Sequence, residues 1–216
     1  MLFRSYASVI NTGLFDLIKP NGMICINGNV IFVEDKLLDA LVIPEDIVKK
    51  VLKAANRHHV VLEFATFKEK YYTAPPNKYV KNYLSVYYEE IQEVRKNAIK
   101  DVTEILAFIP EKYDEKLIKE LPKELKYYRY DMHGVNISYL QSNKGQAVKK
   151  VLEHLKIDKK YAIAIGDYID DIYMFKEAGI SIAMGNAKEE VKEKATIVTE
   201  TIDNHGVATI IANLLY

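Results

Sequence analysis

The chain has 216 residues, of which 49% are apolar and 28% charged, and its 30 basic side chains balance 30 acidic ones. This composition excludes a disordered chain, which needs a lower apolar content, and a collagen-like chain, which needs an excess of glycine and proline. A chain without net charge has no overall field that would draw it onto nucleic acid or an anionic membrane surface.

Cysteine usage and hydropathy indicate the compartment. Cys25 is the only cysteine, so an internal disulfide and a cysteine-rich zinc site are both excluded. No stretch approaches the ~20 apolar residues of a membrane helix, and residues 1–6 do not resemble a signal peptide. We therefore expect a protein of the reducing cytoplasm, with no membrane partner.

The first two thirds of the chain alternate irregularly between helix and strand signals. Apolar spacing predicts a helix over 5–18, and the Asn27–Gly28 turn predicts a hairpin between strands at 23–26 and 30–33. Further signals predict helices at 44–55, 78–97 and 111–121, and strands at 60–67, 71–73, 102–109, 126–131 and 135–140. The region 42–138 lacks a regular rhythm, which favours a separate α+β insert.

From residue 143 onward strands and helices alternate regularly. Asn143 is a good N-cap for a helix to 157, and the apolar run 161–165 suits a strand buried on both faces. Helices at 172–178, 187–195 and 206–215 and strands at 180–184 and 197–199 follow. This alternation predicts right-handed βαβ units and a parallel sheet.

An acidic segment directly follows the apolar strand. Asp167, Asp170 and Asp171 fall within five residues, at the strand end where open α/β sheets bind their ligands. Their mutual repulsion would be relieved by a hard cation such as Mg²⁺. The alternative is helix capping by Asp170 or Asp171, which leaves Asp167 unexplained.

Lys144 lies in the first turn of a helix, where the helix dipole disfavours a cation. One interpretation is an anionic partner, either a phosphate or the acidic segment. The other is an ordinary solvated lysine. Asn186 likewise leaves two alternatives open, a place at the mouth of a pocket or a role in a turn.

Taken together, these motifs resemble a known family. Lys144-Gly145, the helix and strand that follow, the acidic segment and the run Gly179 to Ala187 are similar to the C-terminal half of a Cof-type phosphatase of the haloacid dehalogenase (HAD) superfamily. The hairpin at 27–31 and the tail at 195–208 resemble further parts of that family.

The resemblance implies an α/β fold with a HAD-like Rossmannoid parallel sheet that is incomplete at its N-terminus. Residues 1–41 and 139–216 would form this core, and residues 42–138 would form an inserted α+β cap domain. It also implies a Mg²⁺-dependent phosphohydrolase that acts on a small phosphorylated metabolite, such as a sugar phosphate.

Residue roles follow from the same resemblance. Lys144 matches the lysine that holds phosphate, Asp167 the acid that ligates Mg²⁺, and Asp171 the acid that supports the metal or its waters. Asp170, Asn186 and Asn27 are the expected substrate-binding positions. Asp170 stands where the family usually has an asparagine that touches phosphate, and a carboxylate there would repel it.

The sequence departs from the family at the nucleophile. The motif Asp-x-Asp-Gly-Thr is absent, and no Asp-x-Asp occurs before residue 42. We therefore expect a truncated form that is inactive alone, whose sheet would be completed by an N-terminal fragment or by self-association. The alternative is a non-catalytic remnant that acts as a binding or regulatory domain.

Overall fold

The computed structural model describes residues 2–4, 19–87, 93–96, 98–129 and 132–215. The helix predicted over 5–18 lies outside these residues. The chain divides into two compact units. We call the described part of 1–3, 21–36 and 143–216 the core unit, and the described part of 4–20 and 37–142 the insert unit.

The strands are β1 (Leu2–Arg4), β2 (Gly22–Cys25), β3 (Val30–Val33), β4 (Lys36–Ala40), β5 (Val61–Ala65), β6 (Lys70–Tyr72), β7 (Glu104–Phe108), β8 (Leu125–Arg129), β9 (Val135–Tyr139), β10 (Ile163–Gly166), β11 (Ile180–Ala183) and β12 (Ile197–Val198). The helices are α1 (Glu45–Arg57), α2 (Lys78–Tyr87), α3 (Asp114–Ile118), α4 (Lys144–Leu155), α5 (Asp171–Phe175), α6 (Glu189–Lys192) and α7 (Gly206–Leu215). Short 3-10 turns lie at Ile26–Gly28, Glu111–Tyr113 and Lys159–Tyr161. Within the part of the chain that the structure describes, every helix is too short or too polar to span a bilayer.

The core unit contains the parallel sheet that the alternating pattern predicts. Strands β10, β11 and β12 run parallel in that order, with Ile163 opposite Ile180 and Ile182 opposite Ile197. Apolar side chains of the sheet, of α5, of α6 and of the turn before α6 pack into one cluster: Ala164, Met174, Phe175, Ala183, Ala187 and Val191. The prediction of an α/β core with a parallel sheet is confirmed.

The first strand of this sheet is less buried than its apolar sequence suggests. Tyr161 and Ile163 are 74% and 50% exposed. Residues Lys159–Tyr161 form a 3-10 turn instead of strand, and among the described strands only β11 pairs with β10. The prediction of a strand buried on both faces is therefore wrong at Ile163, whose side chain is half exposed, and at Tyr161, which does not belong to the strand.

The hairpin predicted around Asn27–Gly28 is present in the core unit. β2 and β3 are antiparallel, with Met23 opposite Phe32. The connecting turn needs left-handed backbone, and Asn27 and Gly28 have φ angles of 54° and 95°. A Cβ on Gly28 would lie 2.8 Å from the carbonyl oxygen of Asn143, so glycine is also required where the hairpin meets the start of α4.

The insert unit is built on an antiparallel sheet of order β6-β5-β7-β9-β8. Apolar residues of α1 and α3 pack on one face, and α2 packs on the other through Val80, Tyr83 and Leu84. An antiparallel sheet with helices on its faces is the α+β architecture predicted for the insert. Its assignment as a cap stays a prediction.

The helix predicted over 78–97 is too long. α2 ends at Tyr87, and Val94 forms a parallel bridge to Tyr72. The Tyr72 amide donates to Glu93 O and the Arg95 amide donates to Tyr72 O, both at 2.8 Å. Residues 93–95 therefore pair with the edge strand β6 instead of continuing the helix.

Candidate active site

Asp171 organises the loop at the carboxyl end of β10. This residue is 5% exposed, and its Oδ2 accepts hydrogen bonds from the amides of Asp167 at 3.0 Å and Tyr168 at 2.9 Å. Its Oδ1 accepts from Lys144 Nζ at 2.7 Å. One buried carboxylate therefore fixes the loop backbone and also holds the lysine.

Gly166 makes this arrangement sterically feasible. A Cβ at this position would lie 2.5 Å from Asp171 Cβ and 2.6 Å from its Oδ2, closer than any real side-chain contact. The last residue of β10 must therefore be glycine if Asp171 is to turn back onto the loop. The glycine of the Gly166-Asp167 pair is thus required by packing against Asp171.

Both the backbone and the side chain of Lys144 are held in place. Asn143 caps α4 with its Oδ1, which accepts from the amides of Gly145 at 2.8 Å and Gln146 at 3.3 Å. The Lys144 side chain is 13% exposed and ion-paired with Asp171. Of the alternatives open at this position, the structure shows a lysine paired with the acidic segment and not a solvated one.

Asp167 and Asp170 behave differently from Asp171. Asp167 is exposed and Asp170 is partly buried, just before α5. Asp170 makes no side-chain capping hydrogen bond, so helix capping does not explain it. Over the described ranges no three His, Cys, Asp or Glu side chains come together as a ready metal cage.

The two asparagines proposed for substrate binding occupy turns. Asn186 is exposed, and its Oδ1 accepts from the amide of Ile202 at 3.0 Å, which supports the turn alternative for this residue. Asn27 lies at the hairpin tip, directly before Gly28, which abuts the backbone of Asn143 and Lys144. The structure thus brings Lys144, Asp167 and Asp171 together and sets the Asn27 turn beside the start of α4.

The only thiol of the sequence offers no nucleophile to this site. Cys25 is fully buried in β2, and burial raises its pKa from 9.0 to about 12. The thiolate is the reactive form, so this group stays protonated and inert at neutral pH.

Family comparison agrees with the fold. The model of the haloacid dehalogenase-like hydrolases matches residues 4–211. The chain belongs to this family, and the resemblance inferred from its motifs is confirmed.

Two relatives from Bacillus subtilis show how the similarity is distributed. The phosphatase YwpJ is 41% identical over 83 residues, which are 38% of this chain and 29% of that protein. YkrA is 27% identical over 208 residues, covering 92% of this chain and 80% of that protein. The chain thus spans less than a third of YwpJ but most of YkrA.

Solved structures extend the match across both units. A protein of Geobacillus kaustophilus superposes with a TM-score of 0.91 at 22% identity, over 98% of this chain and 82% of that one. A HAD subclass IIB sugar phosphatase superposes with a TM-score of 0.78 at 25% identity, over 94% and 79% of the two chains. These likenesses establish the HAD fold.

Proposed function

We propose that this chain carries the phosphate- and metal-binding part of a Mg²⁺-dependent HAD-type phosphohydrolase for small phosphomonoesters such as sugar phosphates. The observation that carries the proposal is the Lys144–Asp171 pair, 2.7 Å between Nζ and Oδ1, beside Asp167 at the carboxyl end of β10. Ligands of open α/β sheets bind at this edge. The sugar phosphatase among the structural neighbours and the phosphatase YwpJ support the reaction class.

Lys144 would bind the phosphoryl oxygens of the substrate. An ammonium group carries three N–H donors, so its contact with Asp171 does not by itself exclude a phosphate contact. Asp171 would act as a positioning residue, because it fixes the lysine against the loop that it also organises. Charge-assisted hydrogen bonds of this kind are stronger than neutral ones, which suits a dianionic substrate group.

The donor set at the strand end fits Mg²⁺. This ion usually takes one or two carboxylates and completes its shell with waters and substrate phosphate, so a preformed cage is not required. Asp167 is the exposed carboxylate at this edge and would be the ligand, while both oxygens of Asp171 already accept hydrogen bonds. When bound, the ion would neutralise charge on the transferring phosphoryl group.

The nucleophile would come from outside these 216 residues. The sequence holds no Asp-x-Asp-Gly-Thr motif, and the Cys25 thiol is buried and protonated. A strand paired alongside β10 is the place we propose for it, because that edge has no neighbour among the described strands and Ile163 is half exposed there. The strand that carries the nucleophile would come from an N-terminal fragment. A second copy of the chain could complete the sheet edge, but its identical sequence would not supply the motif.

The remaining proposals concern environment and partners. We place the protein in the reducing cytoplasm, because its only cysteine is a buried free thiol. Its partner would be a small phosphorylated metabolite, which the sugar phosphatase among the structural neighbours supports. A balanced charge gives no general attraction to nucleic acid.

Phosphate binding tests the proposal directly. We expect Lys144→Gln to weaken binding of inorganic phosphate about tenfold, because one charge-assisted contact is lost. The measurement is a titration with inorganic phosphate in the presence of Mg²⁺, followed by NMR of the protein amides. The matched control is Lys160→Gln, an exposed lysine of the same unit that pairs with Asp158.

A second variant should move the affinity in the opposite direction. Asp170→Asn removes a carboxylate next to the proposed phosphate position, and we expect binding to tighten about fivefold. Equal affinities in the wild-type protein, Lys144→Gln and Asp170→Asn would contradict the proposed site.

Mg²⁺ binding should be weak and should depend on Asp167. One exposed carboxylate supplies only part of an octahedral shell, so we expect a dissociation constant in the millimolar range, roughly 1 mM or above. Asp167→Asn should abolish the binding measured by calorimetry, and Asp158→Asn, an exposed acid of the same unit, should leave it unchanged. Tight binding that survives Asp167→Asn would refute the assignment of this ligand.

A further inference from the structure

A cavity with a volume of about 340 Å³ lies entirely among residues of the insert unit. It forms where the end of α1, the start of α2 and the segment from β7 to α3 meet. Small-molecule sites usually measure roughly 300–1,000 Å³, so this cavity has the size for a small ligand. No role proposed above uses it.

The charge of the cavity wall favours an anion. Arg57, His58, His59 and Lys116 line it, and its lining includes no Asp or Glu. Glu120 lies outside the lining and pairs with Arg57 and with His58, whose Nε2 is 2.7 Å from Glu120 Oε1. The hydrogen bond from His58, with the Arg57 charge beside it, lowers the pKa of Glu120. Glu120 therefore fixes two of the basic side chains at the wall. Of the other two, Lys116 Nζ lies 5.5 Å from the centre of the Tyr113 ring, which sets this ammonium group at the wall beside an aromatic side chain.

Aromatic side chains form the other part of the wall. Phe108 is fully buried and packs edge-on against Tyr83, with ring centroids 5.4 Å apart, so its position is fixed. Tyr79 and Tyr113 also line the cavity, and Tyr113 is 40% exposed at its rim. Aromatic walls of this kind favour a flat ring, which packs on them by stacking or edge contacts.

His59 takes a backbone conformation that costs energy. It directly follows the last turn of α1 with a φ of 55°, in the position where helices usually place glycine or asparagine. A histidine is therefore held in left-handed backbone with its side chain at the cavity wall. Lys156 ends α4 with the same left-handed conformation, so this backbone geometry belongs to the helix ending, and it sets His59 among the residues of the cavity wall.

We propose that this cavity binds a small organic anion in which a flat ring is joined to a phosphate, of the size of a nucleoside monophosphate. Lys116 and His59 would contact the phosphate, and Tyr79 and Tyr113 would contact the ring. The cavity is lined only by residues of the insert unit, and none of them takes part in the proposed phosphohydrolase site. The proposal therefore stands independently of the phosphohydrolase function.

Binding of three probes separates the two halves of the proposed ligand. Adenosine monophosphate, adenosine and inorganic phosphate are titrated by calorimetry into the Lys144→Gln variant with EDTA present, because loss of the lysine and of Mg²⁺ weakens binding at the proposed active site. We expect a dissociation constant for adenosine monophosphate between about 10 µM and 1 mM, at least about tenfold tighter than for either half alone. No binding at about 10 mM of this nucleotide would overturn the proposal.

Variants of the wall identify the contacts. Lys116→Gln should weaken binding of adenosine monophosphate about tenfold, and Lys116→Arg should restore most of it. The control is Lys119→Gln. Lys119 lies one helical turn after Lys116, and its exposed side chain pairs with Glu115. Tyr113→Leu should weaken the nucleotide and adenosine but not inorganic phosphate. An equal loss in Lys116→Gln and Lys119→Gln would show a general charge effect and would contradict the site.

Discussion

Supplying this chain with an N-terminal segment that contains Asp-x-Asp-Gly-Thr is expected to turn it from an inactive protein into a Mg²⁺-dependent phosphatase. The first Asp of the motif, which does not occur in these 216 residues, would provide the nucleophile, because covalent catalysis needs a carboxylate that attacks phosphorus. Lys144 and Mg²⁺ could still bind and polarise phosphate without it, but such electrostatic help leaves only a small fraction of the rate. We expect a gain of at least about 10³-fold in turnover of p-nitrophenyl phosphate.

The segment can be added by fusion or as a separate peptide. In either case its strand should pair alongside β10. The control is the same segment with its first Asp replaced by Asn, which should restore the sheet edge but not the activity. Fast turnover by the unextended chain, lost in Asp167→Asn, would reveal a nucleophile elsewhere. A folded fusion without activity would favour the non-catalytic alternative, in which the chain binds phosphate but does not hydrolyse it.

Replacing Asp171 by alanine should have the largest effect on stability of any single change at the site. The variant loses three hydrogen bonds and leaves the Lys144 ammonium, whose side chain is 13% exposed, without its carboxylate. Breaking a buried pair by removing one partner typically costs about 3–5 kcal/mol. For a chain of this length we expect the melting temperature to fall by roughly 6–20 °C.

A double-mutant cycle separates the ion pair from the loop contacts. In the Lys144→Met background there is no ammonium group to leave unpaired. Asp171→Ala should therefore lower the free energy of unfolding by about 1–3 kcal/mol less than it does in the wild-type protein. Asp203→Ala, an exposed acid of the core unit, serves as the control and should change stability by less than about 0.5 kcal/mol. Additive effects of the two substitutions would mean that the Lys144–Asp171 contact contributes nothing to folding.

Local sequence signals predicted much of the core unit. Asn143 is an N-cap in the structure, and Asn27–Gly28 forms the hairpin turn, because both preferences arise within a few residues of backbone. The approach of Lys144 to the acidic loop followed from a topological rule, since helix starts and strand ends of βαβ units lie at the same edge of the sheet. The spacing of these residues did not indicate their roles. The proposed roles of Lys144, Asp167 and Asp171 come from the resemblance to the family.

Features that depend on distant contacts were missed. The helix signal at 78–97 does not show that Tyr72 would pair with Glu93 and Arg95. The apolar run at 161–165 does not reveal which edge of its sheet is covered. The insert cavity draws on three separate stretches, 57–60, 77–79 and 108–116, which only tertiary folding brings together.

The contact between Gly28 and the start of α4 has an evolutionary consequence. Both partners belong to the core unit, one on each side of the long segment 37–142 in the sequence. The lysine at the start of α4 is thus anchored by a neighbour that does not come from the intervening segment. A replacement of that segment that leaves both partners intact would therefore keep the lysine in register with its hairpin, and the scaffold would accept a different insert.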